Sequence, residues 1–135
     1  MGILVSALDL RYYWLVRIFK NTWFARFADK EGITDNELRE VAEKLEAGQP
    51  DVDLGGDVYK MRVARPSEGK SGGYRIIVFF RSGERTFFAY GFAKSDKGNI
   101  NRKELKEYKA LAKKYFDLSN EMIERAIKLR KFFEV

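Results

Sequence analysis

The sequence predicts an α+β domain, in which a small antiparallel sheet carries an N-terminal αα-hairpin and C-terminal helices. Capping boxes mark helix starts near both ends of the chain, and three strand candidates lie between them. Helices grouped at the two ends of a run of strands are typical of α+β folds. With 135 residues, 45% of them apolar, the chain is long enough for one domain with its own core. We therefore expect residues 1–135 to form a single domain.

The N-terminal part is predicted to hold an arm, a strand and the helical hairpin. Residues 1–16 are apolar, but charges interrupt them and no basic leader precedes them, so we expect neither a signal peptide nor a membrane span. We interpret them as an additional arm that packs on the domain or on a second copy. A strand follows at 16–20. Asn21 caps a helix to about residue 30, and the capping box at 34–37 begins a helix that continues to residue 47.

The middle of the chain is predicted to form three antiparallel strands in sequential order, at residues 58–65, 73–81 and 85–92. Residues 82–84 form the short connection between the last two strands. The glycine-rich segment 66–73 is predicted to be a flexible basic loop. Part of it is similar to the end of a P-loop, but a strand follows where nucleotide binding requires a helix. Nucleoside triphosphate binding is therefore rejected.

The C-terminal part is predicted to hold two helices and an edge strand. Asn101 and Glu104 form the second capping box, which begins a helix that ends near residue 116. Ser119 caps the last helix, and residues 132–135 close the chain as a strand at the sheet edge.

The composition restricts the chemistry and indicates the kind of partner. The chain has no histidine and no cysteine, which excludes thiol nucleophiles, disulfides and the usual zinc sites. We expect no metal or cofactor, and a reducing, cytoplasmic location. The net charge is +6, and residues 58–97 hold nine basic but only three acidic side chains. Such a concentration of positive charge indicates a polyanionic partner, such as nucleic acid.

The segment VYKMRVAR at 58–65 carries the candidate site. Since side chains alternate along a strand, Lys60 and Arg62 share one face. Arg75 enters on the next strand, and Lys94 follows the third. We predict that these four cations line one shallow groove for a phosphodiester backbone. Arg75 is expected to be exposed, so that its replacement by Ala leaves the fold intact.

Further side chains extend this candidate site. Arg65, Lys70 and Lys97 are predicted to be RNA-binding, because they flank the four cations along the chain. A polar loop at 94–99 is placed to join a site on the sheet. The aromatic residues of the third strand, which are Phe88, Tyr90 and Phe92, alternate along it and are predicted to share one core face rather than to form a stacking platform.

Three segments resemble the RelE/ParE superfamily of toxins from bacterial type II toxin–antitoxin systems, and in particular its HigB-like branch. They are FKNTWFARFADKEGIT at 19–34, DLGGDVYKMRVARPSEGKSGGYRIIVFF at 53–80 and FFAYGFAKSDKGNIN at 87–101. The most specific feature is Lys-x-Arg on one strand followed by Gly-Tyr-Arg on the next. The resemblance implies a small α+β domain with the N-terminal helices on one side of the sheet.

The resemblance also implies a function. Relatives of the RelE type cleave messenger RNA on the ribosome and are neutralised by an antitoxin, for which we expect a small helix-turn-helix protein. Lys60 and Arg62 would match the paired cations of the family's second strand. Arg75 would match the arginine of the Gly-Tyr-Arg strand, and Lys94 a basic residue after the last strand. A homodimer is also considered.

The chemistry is plausible from the residues themselves. RNA cleaves itself when its 2′-hydroxyl attacks the adjacent phosphate, so a protein need only position the strand, accept a proton and stabilise charge. Arg62 and Arg75 suit the phosphate oxygens, and Lys60 is the candidate base. Two alternatives remain open: a nonenzymatic inhibitor that only binds nucleic acid or a partner, and a ParE-like inhibitor of DNA gyrase.

Overall fold

The computed structural model describes residues 16–65 and 69–135, with side chains omitted at residues 65 and 69–72. The predicted arm at 1–16 lies outside this description, except for its last residue. The elements in chain order are β1 (Ile18–Asn21), α1 (Thr22–Glu31), α2 (Asp35–Glu46), β2 (Val52–Asp53), β3 (Val58–Arg65), β4 (Gly69–Phe79), β5 (Thr86–Ala93), α3 (Arg102–Phe116), α4 (Asn120–Lys128) and β6 (Phe132–Glu134).

The four helices of the described residues begin where the sequence predicts, because each has a side chain that satisfies backbone N–H groups of its first turn. The Asn21 Oδ1 accepts a hydrogen bond from the Phe24 N–H at 2.8 Å. Both predicted capping boxes form, at Thr34 for α2 and at Asn101 for α3. The Ser119 Oγ accepts from the Met122 N–H and begins α4.

In the described part of the chain the sheet has six strands, in the order β2-β3-β4-β5-β1-β6. The predicted antiparallel order of β3, β4 and β5 is confirmed. The expectation of a wholly antiparallel sheet needs one correction, because β1 pairs with β5 in parallel. The C-terminal β6 then pairs antiparallel with β1, as an edge strand. The two-residue β2 was not predicted; it pairs with β3 at the opposite edge.

The predicted loop at 66–73 is wrong in extent. Strand β4 begins at Gly69 instead of residue 73, and Gly69 is the register partner of Arg65. The glycines had indicated a loop, yet they lie within β4, whose backbone pairs with β3 as far as Gly69. The register shifts once between β3 and β4, beyond Val63, and once between β4 and β5, at Ile77 and Val78. Such irregularities twist a strand and redirect its side chains.

Helices cover both faces of the sheet. On one face α1 and α2 bury an apolar cluster with side chains such as Phe24, Leu38 and Met61. On the other face α3 and α4 enclose a second cluster around Phe87 and Ile123. None of the helices in the described part of the chain is long and apolar enough to cross a membrane.

Candidate nucleic-acid interface

Strand register brings the predicted cations together. Lys60 lies opposite Ile77, which lies opposite Tyr90, so these three side chains form one row across β3, β4 and β5. The next row consists of Arg62, Arg75 and Phe92, again opposite one another. We call Lys60, Arg62 and Arg75, with Lys94 at its end, the cationic face. It lies on the side of the sheet that carries α3, since Ile77 and Tyr90 belong to the cluster under that helix.

Arg62 and Arg75 are direct cross-strand partners. Opposite residues of an antiparallel pair have Cβ atoms about 4.5–5.5 Å apart, and like charges at such positions destabilise the sheet. A cross-strand pair of guanidinium groups therefore does not stabilise the sheet, which indicates that the pair is not there for structural reasons. An anion between them would convert the repulsion into attraction.

Arg75 is buried, which corrects the expectation of an exposed cation. Only 9% of its surface is accessible. Its Nη1 donates to the carbonyl oxygen of Tyr74 at 3.4 Å. Among the side chains that the structure describes, no carboxylate forms an ion pair with it. A buried guanidinium without a counter-ion is costly, and it favours an incoming anion.

Lys60 has a defined partner in the loop after β5. Its Nζ donates to the Asn99 Oδ1 at 3.1 Å, and the same oxygen accepts the N–H of Ile100. The polar loop that the sequence placed near the sheet therefore does reach it. Asn99 fixes the direction of the Lys60 side chain, a role that sequence alone did not identify.

Arg62 is exposed, and its backbone is anchored. The Asp51 Oδ2 accepts the Arg62 N–H at 2.8 Å, while the Asp51 N–H donates to the Met61 Sδ. The carboxylate thus bonds to the backbone rather than forming an ion pair with the guanidinium. The Arg62 side chain keeps its donors for a ligand.

The remaining predicted cations differ in their surroundings. Lys94 is exposed at the end of β5, where its N–H donates to the Gly73 carbonyl oxygen at 3.3 Å. Lys97 forms an ion pair with Glu104, and this hydrogen bond raises the pKa of the amine and lowers that of the carboxyl group. The predicted RNA-binding side chains of Arg65 and Lys70 lie outside the described part of the structure.

The prediction that Phe88, Tyr90 and Phe92 belong to the core holds for Phe88 and Phe92, which are buried, but the three side chains do not share one face. Phe88 belongs to the cluster under α1 and α2, and Tyr90 to the cluster under α3. The register shift in β5 inserts Ala89 without a partner on β4 and so reverses the alternation. As a consequence Tyr90 and Phe92 lie beside the cationic face.

Sequence reasoning also missed an aromatic surface on α1. Trp23 is 45% exposed, and its ring centroid lies 4.4 Å from that of Tyr90. The spacing of Trp23, Arg26, Phe27 and Lys30 places them on one helical face. That mixture of aromatic and basic residues at helical spacing was the available signal in the sequence.

Acidic residues in the described chain form no group of three or more that could hold a metal ion. The candidate site therefore consists of cations, one amide and aromatic rings. Such groups can orient a phosphate and stabilise its charge.

The model of a family described as RelE toxin of RelE / RelB toxin-antitoxin system matches residues 16–135. This range includes the six strands and four helices of the described residues. No curated protein matches the sequence.

Proposed function

The chain belongs to the RelE toxin family and is thus a toxin of a toxin–antitoxin system with an antitoxin as its partner, and from this premise we propose that it cleaves messenger RNA on the ribosome. The observation that carries the proposal is the direct pairing of Arg62 with the buried Arg75. Two guanidinium groups donate in pairs to the oxygens of one phosphate, and both lack a carboxylate partner among the described side chains.

The reaction is a transesterification within the RNA. The 2′-oxygen attacks the adjacent phosphorus, the bond from phosphorus to the 5′-oxygen breaks, and a 2′,3′-cyclic phosphate and a 5′-hydroxyl result. Lys60 accepts the proton of the 2′-hydroxyl, and the leaving 5′-oxygen takes up a proton from solvent. Arg62 and Arg75 stabilise the additional negative charge on the phosphate oxygens as it develops.

Asn99 and Lys94 have supporting roles in this proposal. Asn99 orients the Lys60 amine, which it contacts at 3.1 Å. Lys94 extends the positive surface along the RNA backbone. In this proposal the ribosome aligns the 2′-oxygen with the leaving group and places the reaction in the cytoplasm. The antitoxin, which we propose is a helix-turn-helix protein, would cover the cationic face with an acidic segment.

The test is single-turnover cleavage of ribosome-bound message by site variants. Removing one such donor costs about 10²–10³ in rate, so we expect losses of this order for Arg75→Ala and Arg62→Ala. Arg39→Ala is the matched control, because Arg39 is an exposed cation on α2 at the other face of the sheet. Full activity of the Lys60, Arg62 and Arg75 triple Ala variant would disprove the proposed site.

Because Arg75 is buried, its variants need a folding control. Arg75→Lys keeps a positive charge but loses the paired donors, so it should fold and still cleave poorly. Circular dichroism melting curves for both variants separate loss of fold from loss of catalysis.

A binding function without cleavage is the second candidate. It is favoured by the lack of histidine, and of a carboxylate contact to Lys60, in the described site. Primer extension on message from induced cells distinguishes the two: cleavage gives discrete 5′-ends, whereas a nonenzymatic inhibitor stops growth and leaves the message intact.

A further inference from the structure

A cavity of about 670 Å³ lies between α1 and the end of β5, beside the cationic face. Its lining includes Trp23 and Phe27 from the helix and Tyr90 and Phe92 from the strand. We call it the aromatic cavity. It shares none of its lining residues with the cationic face, and the reaction described above does not use it.

The aromatic rings are arranged for stacking. Trp23 stacks on Phe27 with ring centroids 5.4 Å apart. The ring centroids of Trp23 and Tyr90 lie 4.4 Å apart. Tyr90 in turn stacks on Tyr108 of α3, with ring centroids 5.6 Å apart, and this contact supports the Tyr90 ring. Trp23 nevertheless leaves 45% of its surface exposed. An indole that packs on two rings and is still almost half exposed offers aromatic surface of the kind on which nucleobases stack.

The cavity continues directly from the cationic face. Phe92 lines the cavity and is the register partner of Arg75, while Tyr90 is the partner of Ile77 in the row of Lys60. The register shift at Ala89 turns Tyr90 towards this side of the sheet. An RNA strand with one phosphate at Arg62 and Arg75 would thus have the aromatic cavity at its next base.

The charges at the rim favour RNA over an apolar protein segment. The cations Arg26 and Lys30 line the cavity, as does Lys97, which is ion-paired with Glu104. Two acids also line it: Glu31, which accepts a hydrogen bond from the Tyr74 hydroxyl at 2.7 Å, and the exposed Asp96. Since carboxylates accept hydrogen bonds from exocyclic amino groups of bases, these acids are compatible with a base in the cavity.

We propose that the aromatic cavity is a nucleobase subsite for single-stranded RNA, which stacks one unpaired base on Trp23 next to the phosphate bound by Arg62 and Arg75. This inference rests on the proposed function, because it assumes that RNA occupies the cationic face. It adds a determinant of base recognition to a face that otherwise binds only the backbone.

Tryptophan fluorescence tests the subsite directly. The chain has two tryptophans, so the variant Trp14→Phe leaves Trp23 as the sole reporter. The probes are a five-nucleotide RNA of mixed sequence and the same oligonucleotide with its central base removed. We expect the intact RNA to quench Trp23 fluorescence on binding, and the abasic RNA to bind about tenfold more weakly with little quenching.

Variants at the cavity give the matched comparison. In fluorescence anisotropy with labelled RNA, Trp23→Ala should weaken binding about tenfold, whereas Trp23→Phe, which retains an aromatic face, should retain most of the affinity. Arg39→Ala should leave binding unchanged. Lack of quenching by the intact RNA, or equal affinity for the intact and abasic RNAs, would overturn the proposal.

The two proposals can fail separately. If Arg75→Ala leaves message cleavage unchanged while Trp23→Ala weakens RNA binding, the subsite stands and the proposed catalytic site fails. If Arg75→Ala abolishes cleavage while Trp23→Ala changes nothing, the reverse holds. A Trp23 signal that responds to the purified antitoxin but not to RNA would assign the cavity to the protein partner and overturn the inference.

Discussion

At the scale of single residues, the most informative observation is that Arg62 and Arg75 face each other across two strands. The sequence predicted which residues share this face, because alternation along a strand is a local property. It did not predict that Arg75 would be buried, since burial depends on what packs over the strand. The same limit applies to Asn99, whose contact with Lys60 spans 39 positions of the chain.

The contact between Asn99 and Lys60 allows a test of whether Lys60 is the base. Asn99→Ala removes the acceptor, so we expect about tenfold slower cleavage through loss of orientation. Asn99→Asp keeps an acceptor of the same shape but adds a negative charge that holds Lys60 as the ammonium. If Lys60 is the base, Asn99→Asp should be slower than Asn99→Ala at neutral pH, and its rate should keep rising at higher pH.

The measurement is a pH–rate profile of single-turnover cleavage for both variants beside the parent protein. If Lys60 only contacts phosphate, the aspartate would weaken RNA binding and leave the shape of the profile unchanged. That result would remove the base assignment while preserving the cationic face.

Tyr108 makes stability sensitive to alkaline pH. Burial raises the pKa of its phenol, and the neighbouring Tyr90, Glu104 and Glu107 raise it further. A phenol with a raised pKa in the folded state contributes stability that is complete below its ordinary pKa of about 10 and is lost as pH rises above that value. We therefore expect a lower melting temperature at pH 10.5 than at pH 8, and a smaller difference in Tyr108→Phe.

Burial also raises the pKa of Tyr115, so Tyr108→Phe should reduce the alkaline loss without abolishing it. Phenolate absorbance during the titration reports the ionisation itself. If the melting temperature falls by the same amount in the parent and in Tyr108→Phe, ionisation of Tyr108 does not destabilise the fold and the prediction is wrong.

At the scale of elements, the sequence predicted helix starts better than strand limits. Helix starts depend on a side chain and a backbone N–H a few residues away, as at Thr34 and Asn101, so the pattern is local. The start of β4 at Gly69 and the pairing of β2 depend on the neighbouring strand. Glycines that indicate a loop in isolation can pair when a long hairpin partner is present.

The register shift in β5 is the element that sequence could not foresee. A regular alternation would place Phe88 and Tyr90 on one face, whereas the inserted Ala89 separates them. This local irregularity decides which aromatic rings border the cationic face. Periodicity therefore could not predict the aromatic cavity. The α1 residues that line it do recur at helical spacing in the sequence.

The packing of α1 on β5 depends on Gly91. A Cβ atom at this position would lie 2.4 Å from the Phe27 Cε1, so an alanine must displace the ring or the helix. We expect Gly91→Ala to reduce the free energy of unfolding by about 1–3 kcal/mol. Equilibrium denaturation in urea measures the change.

The control for this prediction is Gly98→Ala. No atom lies within 4 Å of a Cβ built at Gly98, which is exposed in the loop after β5. Its substitution should change stability by less than about 0.5 kcal/mol. Equal effects of the two substitutions would contradict the packing explanation.

At the scale of the whole molecule, the fold places one helical pair on each face of the sheet. The predicted α+β class with helices at both ends of the chain is confirmed. The parallel pairing of β1 with β5 was not predicted, because it joins segments far apart in sequence. The register of β1 with β5 ends at Phe88, so beyond that residue β5 pairs only with β4, and α1 borders the side where the aromatic cavity lies.

The positive charge in residues 58–97 makes RNA binding depend on salt concentration, and the steepness of this dependence reflects how many phosphates the protein neutralises. Each cation that neutralises a phosphate of single-stranded RNA releases counterions and adds about 0.7 to the slope of log affinity against log salt. We expect a slope shallower by this amount for Arg62→Ala and for Lys94→Ala. Arg39→Ala should keep the parent slope.

Trp23→Ala provides the contrasting case within the same measurement. Stacking releases no counterions, so this substitution should weaken binding at every salt concentration and leave the slope unchanged. Fluorescence anisotropy of a labelled RNA between roughly 50 and 300 mM salt, the range in which such slopes are resolved, gives both quantities. A changed slope for Trp23→Ala, or an unchanged slope for Arg62→Ala, would show that the division into a phosphate-binding face and a base-binding cavity is wrong.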